Sequence, residues 1–189
     1  MSAVLLPSER STAATAALDA NRANARLRLA ARHEDGATRL ARLHESGGYR
    51  IKFPDSADAL EAVIVNTGGG LCGGDAVNLE IEAGEGAHLA VTTQSAEKVY
   101  RAAGAGARID AVLAAGAGAR LHWMPQEAIL FSGARLSRTI SADIAADAEL
   151  VIAEATVFGR LHMGERPGDG HLRDRWRLHR AGRLIHAEE

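Results

Sequence analysis

The side chains that could do chemistry are concentrated in four short segments, each next to a stretch rich in aliphatic residues. The first is the glycine-rich segment 66–75, which contains Cys72 and ends at Asp75. A thiolate suits a soft or borderline metal such as nickel, but one ligand does not make a site. Cys72 is therefore a weak metal candidate, and its alternative interpretation is a small packed residue.

The same glycines match the spacing of a dinucleotide-binding loop, because Gly68, Gly70 and Gly73 give Gly-x-Gly-x-x-Gly after a predicted strand. Such a loop needs a helix behind it, whose N-terminus faces the pyrophosphate. Residues 76–81 instead alternate between apolar and polar side chains, which is typical of a strand. The sequence therefore disfavours a nucleotide-binding module and favours a connection between strands, with a partner-facing loop as an alternative.

The other three segments, 92–101, 123–135 and 157–165, carry hydroxyl, amide and charged groups. Catalysis by Ser or Thr would need a base and an orienting group within reach, and the second segment, 92–101, contains no histidine. In the fourth segment, His162 and Glu165 are candidate nitrogen and oxygen ligands, with a solvated turn as the alternative. The polar candidates of these three segments are Gln94, Ser95, Lys98, Tyr100, Gln126, Glu127, Arg160 and Glu165.

An internal repeat with a constant offset of 32 residues places the second and third segments in equivalent positions. Residues 79–98 superpose on residues 111–130, so that Leu89 matches Leu121. A fainter third copy runs through residues 148–152. Each copy predicts a strand, a glycine turn and a second strand. The turn glycines, which are expected to need a positive φ or a close backbone approach, are Gly84, Gly86, Gly116 and Gly118.

Such strand pairs cannot bury their apolar faces alone, so the copies are expected to stack into layered sheets. Hairpins are predicted around Asp35 and Gly36 and around Ala181 and Gly182. The sequence predicts a mainly β chain of stacked sheets with repeated rungs, β-helix-like or sandwich-like, with little helix. We expect a flexible tail at residues 1–24 and a single β domain at residues 25–189.

Composition limits the partners. Lys and Arg total 22 against 24 Asp and Glu, and the net charge of −2 gives no overall attraction to nucleic acid or to an anionic membrane. The single cysteine and the absence of a signal-like or membrane-spanning apolar stretch predict a cytoplasmic protein. We expect no tightly bound cofactor.

In their order along the chain, these motifs resemble the UreD family of urease accessory proteins. The resemblance implies a mainly β, non-catalytic scaffold that binds apo-urease and recruits UreF and the GTPase UreG, so that nickel reaches the urease active site. It also implies an internal water-filled passage for transient Ni²⁺, with Asp75, Ser95 and Glu165 along it. The matching segments are 66–75, 92–101, 123–135 and 157–165.

Two further expectations accompany this assignment. UreD chains continue for several dozen residues past the equivalent of Glu189, so sheet edges and apolar surface are expected to be uncovered here. The alternative function is a hydrolase or carbohydrate-acting enzyme on a β-helical frame. It requires a pocket with paired carboxylates at hydrolytic spacing.

Overall fold

The computed structural model describes residues 22–56, 58–165, 168 and 170–189. These residues form fifteen strands and one short 3₁₀ helix, Leu161–Met163. The strands are β1 (Asn24–Glu34), β2 (Ala37–Glu45), β3 (Tyr49–Lys52), β4 (Leu60–Asn66), β5 (Ala76–Ala83), β6 (His88–Thr93), β7 (Glu97–Val99), β8 (Ala107–Ala115), β9 (Arg120–Trp123), β10 (Ala128–Leu130), β11 (Arg135–Ile144), β12 (Glu149–Ile152), β13 (Thr156–Phe158), β14 (His171–Arg180) and β15 (Arg183–Glu188).

The strands build three sheets that face one another across a shared core. The seven-stranded sheet has the order β15-β14-β11-β8-β5-β1-β2, the five-stranded sheet β12-β9-β6-β4-β3, and the three-stranded sheet β13-β10-β7. From β5 onward the chain winds in coils of three strands, β5–β7, β8–β10 and β11–β13, and each coil adds one strand to each sheet. Successive coils pair in parallel. The mainly β, solenoid-like arrangement confirms the predicted fold class.

The predicted offset of 32 residues is the pairing register of the first two coils. Leu79 on β5 lies opposite Ala111 on β8, and Leu89 on β6 lies opposite Leu121 on β9. Leu150 on β12 in turn lies opposite Leu121, which confirms the third copy. The repeat in the sequence therefore reports residues that are stacked on one another in the fold.

The turn glycines have the geometry that their positions predicted. Gly86 and Gly118 have φ values of +64° and +61°, a region that side chains with a Cβ disfavour. A Cβ on Gly84 would lie 2.9 Å from the Ala31 carbonyl oxygen, and one on Gly116 would lie 2.8 Å from the Glu85 amide nitrogen. Gly86 and Gly118 thus provide the positive φ of the turns, and Gly84 and Gly116 allow neighbouring coils to approach closely.

The three-stranded sheet was not predicted. Its strands are three residues long, and β7 and β10 pair with an offset of 31 instead of 32. At this length an alternating pattern is too short to be recognised. Both predicted hairpins are confirmed, since β1 pairs with β2 and β14 pairs with β15 in antiparallel register.

The core is aliphatic and fills the space between the sheets. The side chains of Leu27, Ile81 and Leu113 from the seven-stranded sheet face Leu89 and Leu121 from the five-stranded sheet, and all five are at most 1% exposed. Within the described part of the chain, β12 and β13 pair on one side only. Apolar residues are exposed near these edges, including Val157, Phe158, Leu161 and Met163.

Of the tail predicted at residues 1–24, residues 1–21 lie outside the described residues, and β1 begins at Asn24. The single domain at residues 25–189 stays a prediction. Across the residues that the structure describes, no helix is long and apolar enough to cross a membrane.

Candidate functional site

Two adjoining cavities of about 60 Å³ each lie beside and between the sheets. They share a wall formed by Tyr49, Ile64, Thr93 and Glu97. The first, here called the outer cavity because Gln94, Ser95 and Lys98 on its lining are exposed, is also lined by Asn66, Gly69, Gly70 and Ala96. The inner cavity is also lined by Val77, Leu79, Ile109, Trp123, Pro125, Gln126, Arg138 and Glu154.

The shared wall is held by a polar cluster of three residues, the Glu97 cluster. Tyr49 on β3 donates its hydroxyl proton to Oε2 of Glu97 at the start of β7, across 3.0 Å. The amide nitrogen of Asn66, at the end of β4, lies 2.9 Å from both the Tyr49 hydroxyl and Oε1 of Glu97. Since β3 and β4 belong to one sheet and β7 to another, the Glu97 cluster joins two sheets through partly buried hydrogen bonds.

Burial controls the charge of this cluster. Removal of Glu97 from water raises the pKa of its carboxyl group, and the hydrogen bonds from Asn66 and Tyr49 offset part of that rise. Burial, followed by the nearby Glu97 charge, raises the pKa of Tyr49, so its hydroxyl stays protonated and remains a donor. Glu97 is thus a desolvated carboxylate that a cation in either cavity would stabilise.

A second polar cluster, the Arg138 cluster, lies at the other end of the inner cavity. Nη1 of Arg138 on β11 lies 2.7 Å from Oε2 of Glu154, and its Nε donates to Oδ1 of Asp174 on β14 across 3.2 Å. Nη2 of Arg138 contacts the same Asp174 carboxylate. The indoles of Trp123 and Trp176 each donate to one carboxylate, at 2.8 and 3.0 Å.

The Arg138 cluster sets one basic side chain against two acidic side chains. Burial raises the pKa of Glu154, while Arg138 and the Trp123 indole oppose that rise. Burial would lower the pKa of Arg138, but the hydrogen bond to Asp174 and the charges of Glu154 and Asp174 outweigh it and raise that pKa. The guanidinium therefore stays charged, and together with Glu97 the interior carries more acidic than basic groups.

The structure brings several predicted residues to these cavities. Gln94, Ser95 and Lys98 line the outer cavity, where Gln94 donates its backbone amide to the Ile64 carbonyl. Gln126 lines the inner cavity, and its backbone amide donates to the Thr93 hydroxyl across 3.0 Å. The carbonyl of Glu127 accepts the Glu97 amide, but Glu127 is not among the lining residues of either cavity.

Asp75 has a different place. Its side chain is buried and accepts hydrogen bonds from the backbone amides of Ala23 at 2.9 Å and Cys72 at 2.7 Å. Both carboxylate oxygens therefore fasten the glycine loop to the chain before β1, and the residue lines neither cavity. Cys72 is exposed. β5 follows the loop as a strand, as predicted, so the helix that a dinucleotide site needs is not present there.

Tyr100 and Phe131, at equivalent places in two successive coils, and Arg160, one residue past the equivalent place in the third coil, form a ladder on the surface. The Tyr100 and Phe131 rings meet edge to face at 5.1 Å, and the Arg160 guanidinium lies 3.9 Å from the Phe131 ring centre. Arg160 is paired with Glu165, and this hydrogen-bonded ion pair lowers the pKa of Glu165. The Tyr100 hydroxyl donates to the Gly69 carbonyl across 3.1 Å, which attaches the ladder to the glycine loop.

His162 is exposed in the 3₁₀ helix, and nothing brings it together with Cys72. Over the residues that the structure describes, no group of three or more His, Cys, Asp or Glu side chains is arranged to hold a metal ion. The acidic side chains of the interior instead lie in two separate clusters, with Glu97 in one and Glu154 and Asp174 in the other, and none of the three was a candidate from the sequence. The sequence did contain a signal for the Arg138 cluster, because Arg138 occupies an inward position between Leu136 and Ile140 on a strand of alternating burial.

Comparisons with known proteins are consistent with this fold and its motifs. The family model for the UreD urease accessory protein matches residues 23–189. A urease accessory protein UreD of Rhodopseudomonas palustris (strain BisB18) is 51% identical over 178 residues, covering 94% of this chain and 64% of the relative. UreD 3 of Bradyrhizobium sp. (strain BTAi1) is 48% identical with the same coverage. UreD of Rhizobium rhizogenes (strain K84) is 50% identical over 179 residues, covering 94% and 66%. The chain therefore spans just under two thirds of the length of these relatives, and it belongs to the UreD family of urease accessory proteins.

Proposed function

We propose that this chain acts in urease maturation as a non-catalytic scaffold that helps to load nickel into apo-urease in the cytoplasm. The observation that carries the proposal is the UreD family match over residues 23–189. In this role the chain binds apo-urease and recruits UreF and UreG. The mainly β frame supports such a role, because stacked coils offer broad rigid surfaces to partner proteins.

We further propose that the two cavities form part of the route along which Ni²⁺ travels as cargo. Glu97 supports this, since its carboxylate lies on the wall that both cavities share. Carboxylate and hydroxyl oxygens can exchange with the water ligands of a divalent ion without trapping it as a set of thiolates would. Ser95 and Gln94 are then polar groups at the outer end of the route.

The size of the cavities bears on how the ion would move. A cavity needs about 10–15 Å³ of space to hold one water molecule, so a cavity of about 60 Å³ holds a small number of waters. We propose that an ion passing through exchanges some of its water ligands for protein oxygens. Glu97, Thr93 and Tyr49 supply oxygens that can replace some of these waters, which makes the shared wall the step where exchange is needed.

The enzyme alternative finds less support. Small-molecule sites usually enclose about 300–1,000 Å³, well above the inner cavity. Glu97 and Glu154 both line that cavity, but Glu154 is held by Arg138 and Trp123. A carboxylate locked in an ion pair is a poor nucleophile or base, so hydrolysis of a sugar linkage is disfavoured.

The proposal is tested by deleting the gene in a strain that makes urease and by restoring it on a plasmid. We expect the deletion strain to contain urease protein that lacks nickel by elemental analysis, and the plasmid to restore the metal. Tagged protein should recover apo-urease, UreF and UreG from the same cells, whereas tag alone should not. Fully nickel-loaded, active urease in the deletion strain would contradict the proposal.

A further inference from the structure

The outer face of β14 carries a row of three arginines, Arg173, Arg175 and Arg177, here called the arginine row. They alternate with the inward side chains of the strand, so all three extend from the same face of the seven-stranded sheet. Residues 171–189 contain five arginines and three acidic residues, although the whole chain has a net charge of −2. Positive charge is therefore concentrated on this terminal hairpin.

On one side of β14, the neighbouring strand β11 does not neutralise the arginine row. β11 pairs with β14 so that Ser137 lies beside Arg173, Thr139 beside Arg175 and Ser141 beside Arg177. These hydroxyls are polar but uncharged. The first outward carboxylate of β11 is Asp143, which lies further along, beside His179.

A second arginine row on the same sheet shows the contrast. β1 carries Arg26, Arg28 and Arg32 on its exposed side, and Arg28 and Arg32 each pair with a carboxylate of their own. Arg28 lies 2.9 Å from Glu80 on the neighbouring strand, and Arg32 lies 2.8 Å from Glu34. Arg28 and Arg32 of β1 thus each pair with a separate carboxylate, whereas Arg173 and Arg177 of β14 share the single carboxylate of Glu189.

A carboxylate from the same hairpin already occupies part of the arginine row. Nε of Arg173 donates to Oε1 of Glu189 across 2.8 Å, and Nη2 of Arg177 lies 3.8 Å from Oε2 of Glu189. The hydrogen bond from Arg173 and the charges of Arg173, Arg175 and Arg177 lower the pKa of Glu189. The row therefore offers the geometry and field that a carboxylate needs.

We propose that the arginine row is a docking surface for an acidic segment of a partner protein. Alternate residues of a strand are about 6.6 Å apart, so the three guanidinium groups match carboxylates on alternate residues of an extended segment. Arginine also presents several N–H donors in a fork that fits a carboxylate. The hydroxyls of β11 supply further hydrogen-bonding groups along the same line. This surface is separate from the two cavities and does not depend on nickel transport.

The test uses the full chain and a fluorescent peptide of ten glutamates, with binding followed by anisotropy at low and at moderate salt. The replacement R173Q/R175Q/R177Q should weaken binding by about tenfold, since each exposed pair contributes a fraction of a kcal/mol up to about one. The matched control is R26Q/R28Q/R32Q on β1, which should bind as the wild type does. The single variant Glu189→Gln should bind more tightly, because it frees Arg173 and Arg177.

Circular dichroism of each variant checks folding, and R175Q alone gives a mild second variant that should show a smaller loss. Absence of peptide binding by the wild type at low salt would overturn the proposal. So would an equal loss in the β1 control. A single-stranded oligothymidine that binds more tightly than the peptide and is lost with the same triple replacement would overturn it in favour of nucleic acid.

Discussion

The Tyr49 hydroxyl donates a hydrogen bond to the Glu97 carboxylate across 3.0 Å, and this contact connects the five-stranded sheet with the three-stranded sheet. Glu97 is at the same time the carboxylate on the wall between the two cavities. The residue that holds the sheets together is thus also the residue to which the proposed route assigns a cation. In the proposed route, its state of ionisation would therefore link stability to transport.

The stability of the fold should depend on pH through Glu97. Burial raises its pKa in the folded state, so the folded chain binds this proton more tightly than the unfolded chain. The contribution of this raised pKa to the free energy of unfolding is complete below the unfolded pKa of about 4.3, and it is lost as pH rises through the folded pKa. Relative to Glu97→Gln, the wild type should therefore become less stable as pH rises. Urea denaturation of both proteins between about pH 4.5 and 7.5 measures this.

Glu165→Gln is the control for this series. Arg160 lowers the pKa of Glu165, so the contribution of that pair is present above the unfolded pKa and is lost only as pH falls through the lower folded value. The difference between Glu165→Gln and the wild type should stay constant above about pH 5. A difference between Glu97→Gln and the wild type that is independent of pH, or of opposite slope, would contradict the assignment of Glu97.

Replacement of Arg138 should be strongly destabilising. The side chains of Arg138 and Glu154 are 9% and 4% exposed, so Arg138→Met leaves a buried carboxylate without its cation. We expect a loss of about 3–5 kcal/mol in the free energy of unfolding. Arg28→Met, which breaks the exposed pair with Glu80, should cost about 0–1 kcal/mol. Similar losses for the two variants would show that the Arg138 cluster is not a buried network.

Gly70→Ala should disturb the glycine loop. Gly70 has a φ of +147°, and a Cβ there would lie 2.5 Å from a ring carbon of Tyr100 and 2.7 Å from the Lys98 carbonyl oxygen. The backbone conformation alone costs about 1–3 kcal/mol for a residue with a Cβ. Gly104→Ala is the control, because nothing lies within 4 Å of its Cβ position. Thermal unfolding should show a lower midpoint for the first variant and little change for the second.

The sequence was sufficient for much of the fold because stacked coils repeat their spacing. Glycines that allow a turn at Gly86 recur at Gly118, and the intervening leucines therefore recur in the same register. The short β7, β10 and β13 could not be predicted, since three residues carry too little pattern. A strand of that length is fixed by pairing with strands in adjacent coils. Those strands are distant in sequence, so the pattern of one segment does not show the pairing.

The interior polar groups were harder to predict than the strands. Asn66 and Glu97 are 31 residues apart, and Arg138 and Asp174 are 36 apart, so only the coil spacing brings each pair together. Prediction from motifs selected residues that are unusual in the local sequence, such as Cys72 and Asp75. A search for charged residues at inward positions of alternating strands would have selected Arg138.

The central claim, that Ni²⁺ passes the Glu97 wall on its way to urease, is tested most directly by the nickel content of urease purified from cells that carry Glu97→Gln. We expect a decrease of about tenfold with unchanged co-purification of apo-urease, since ligand substitutions at metal-handling sites commonly cost about 10–100-fold. Glu127→Gln, which changes a carboxylate that lines neither cavity, should leave the nickel content at the wild-type value. Fully loaded urease with Glu97→Gln would contradict the claim.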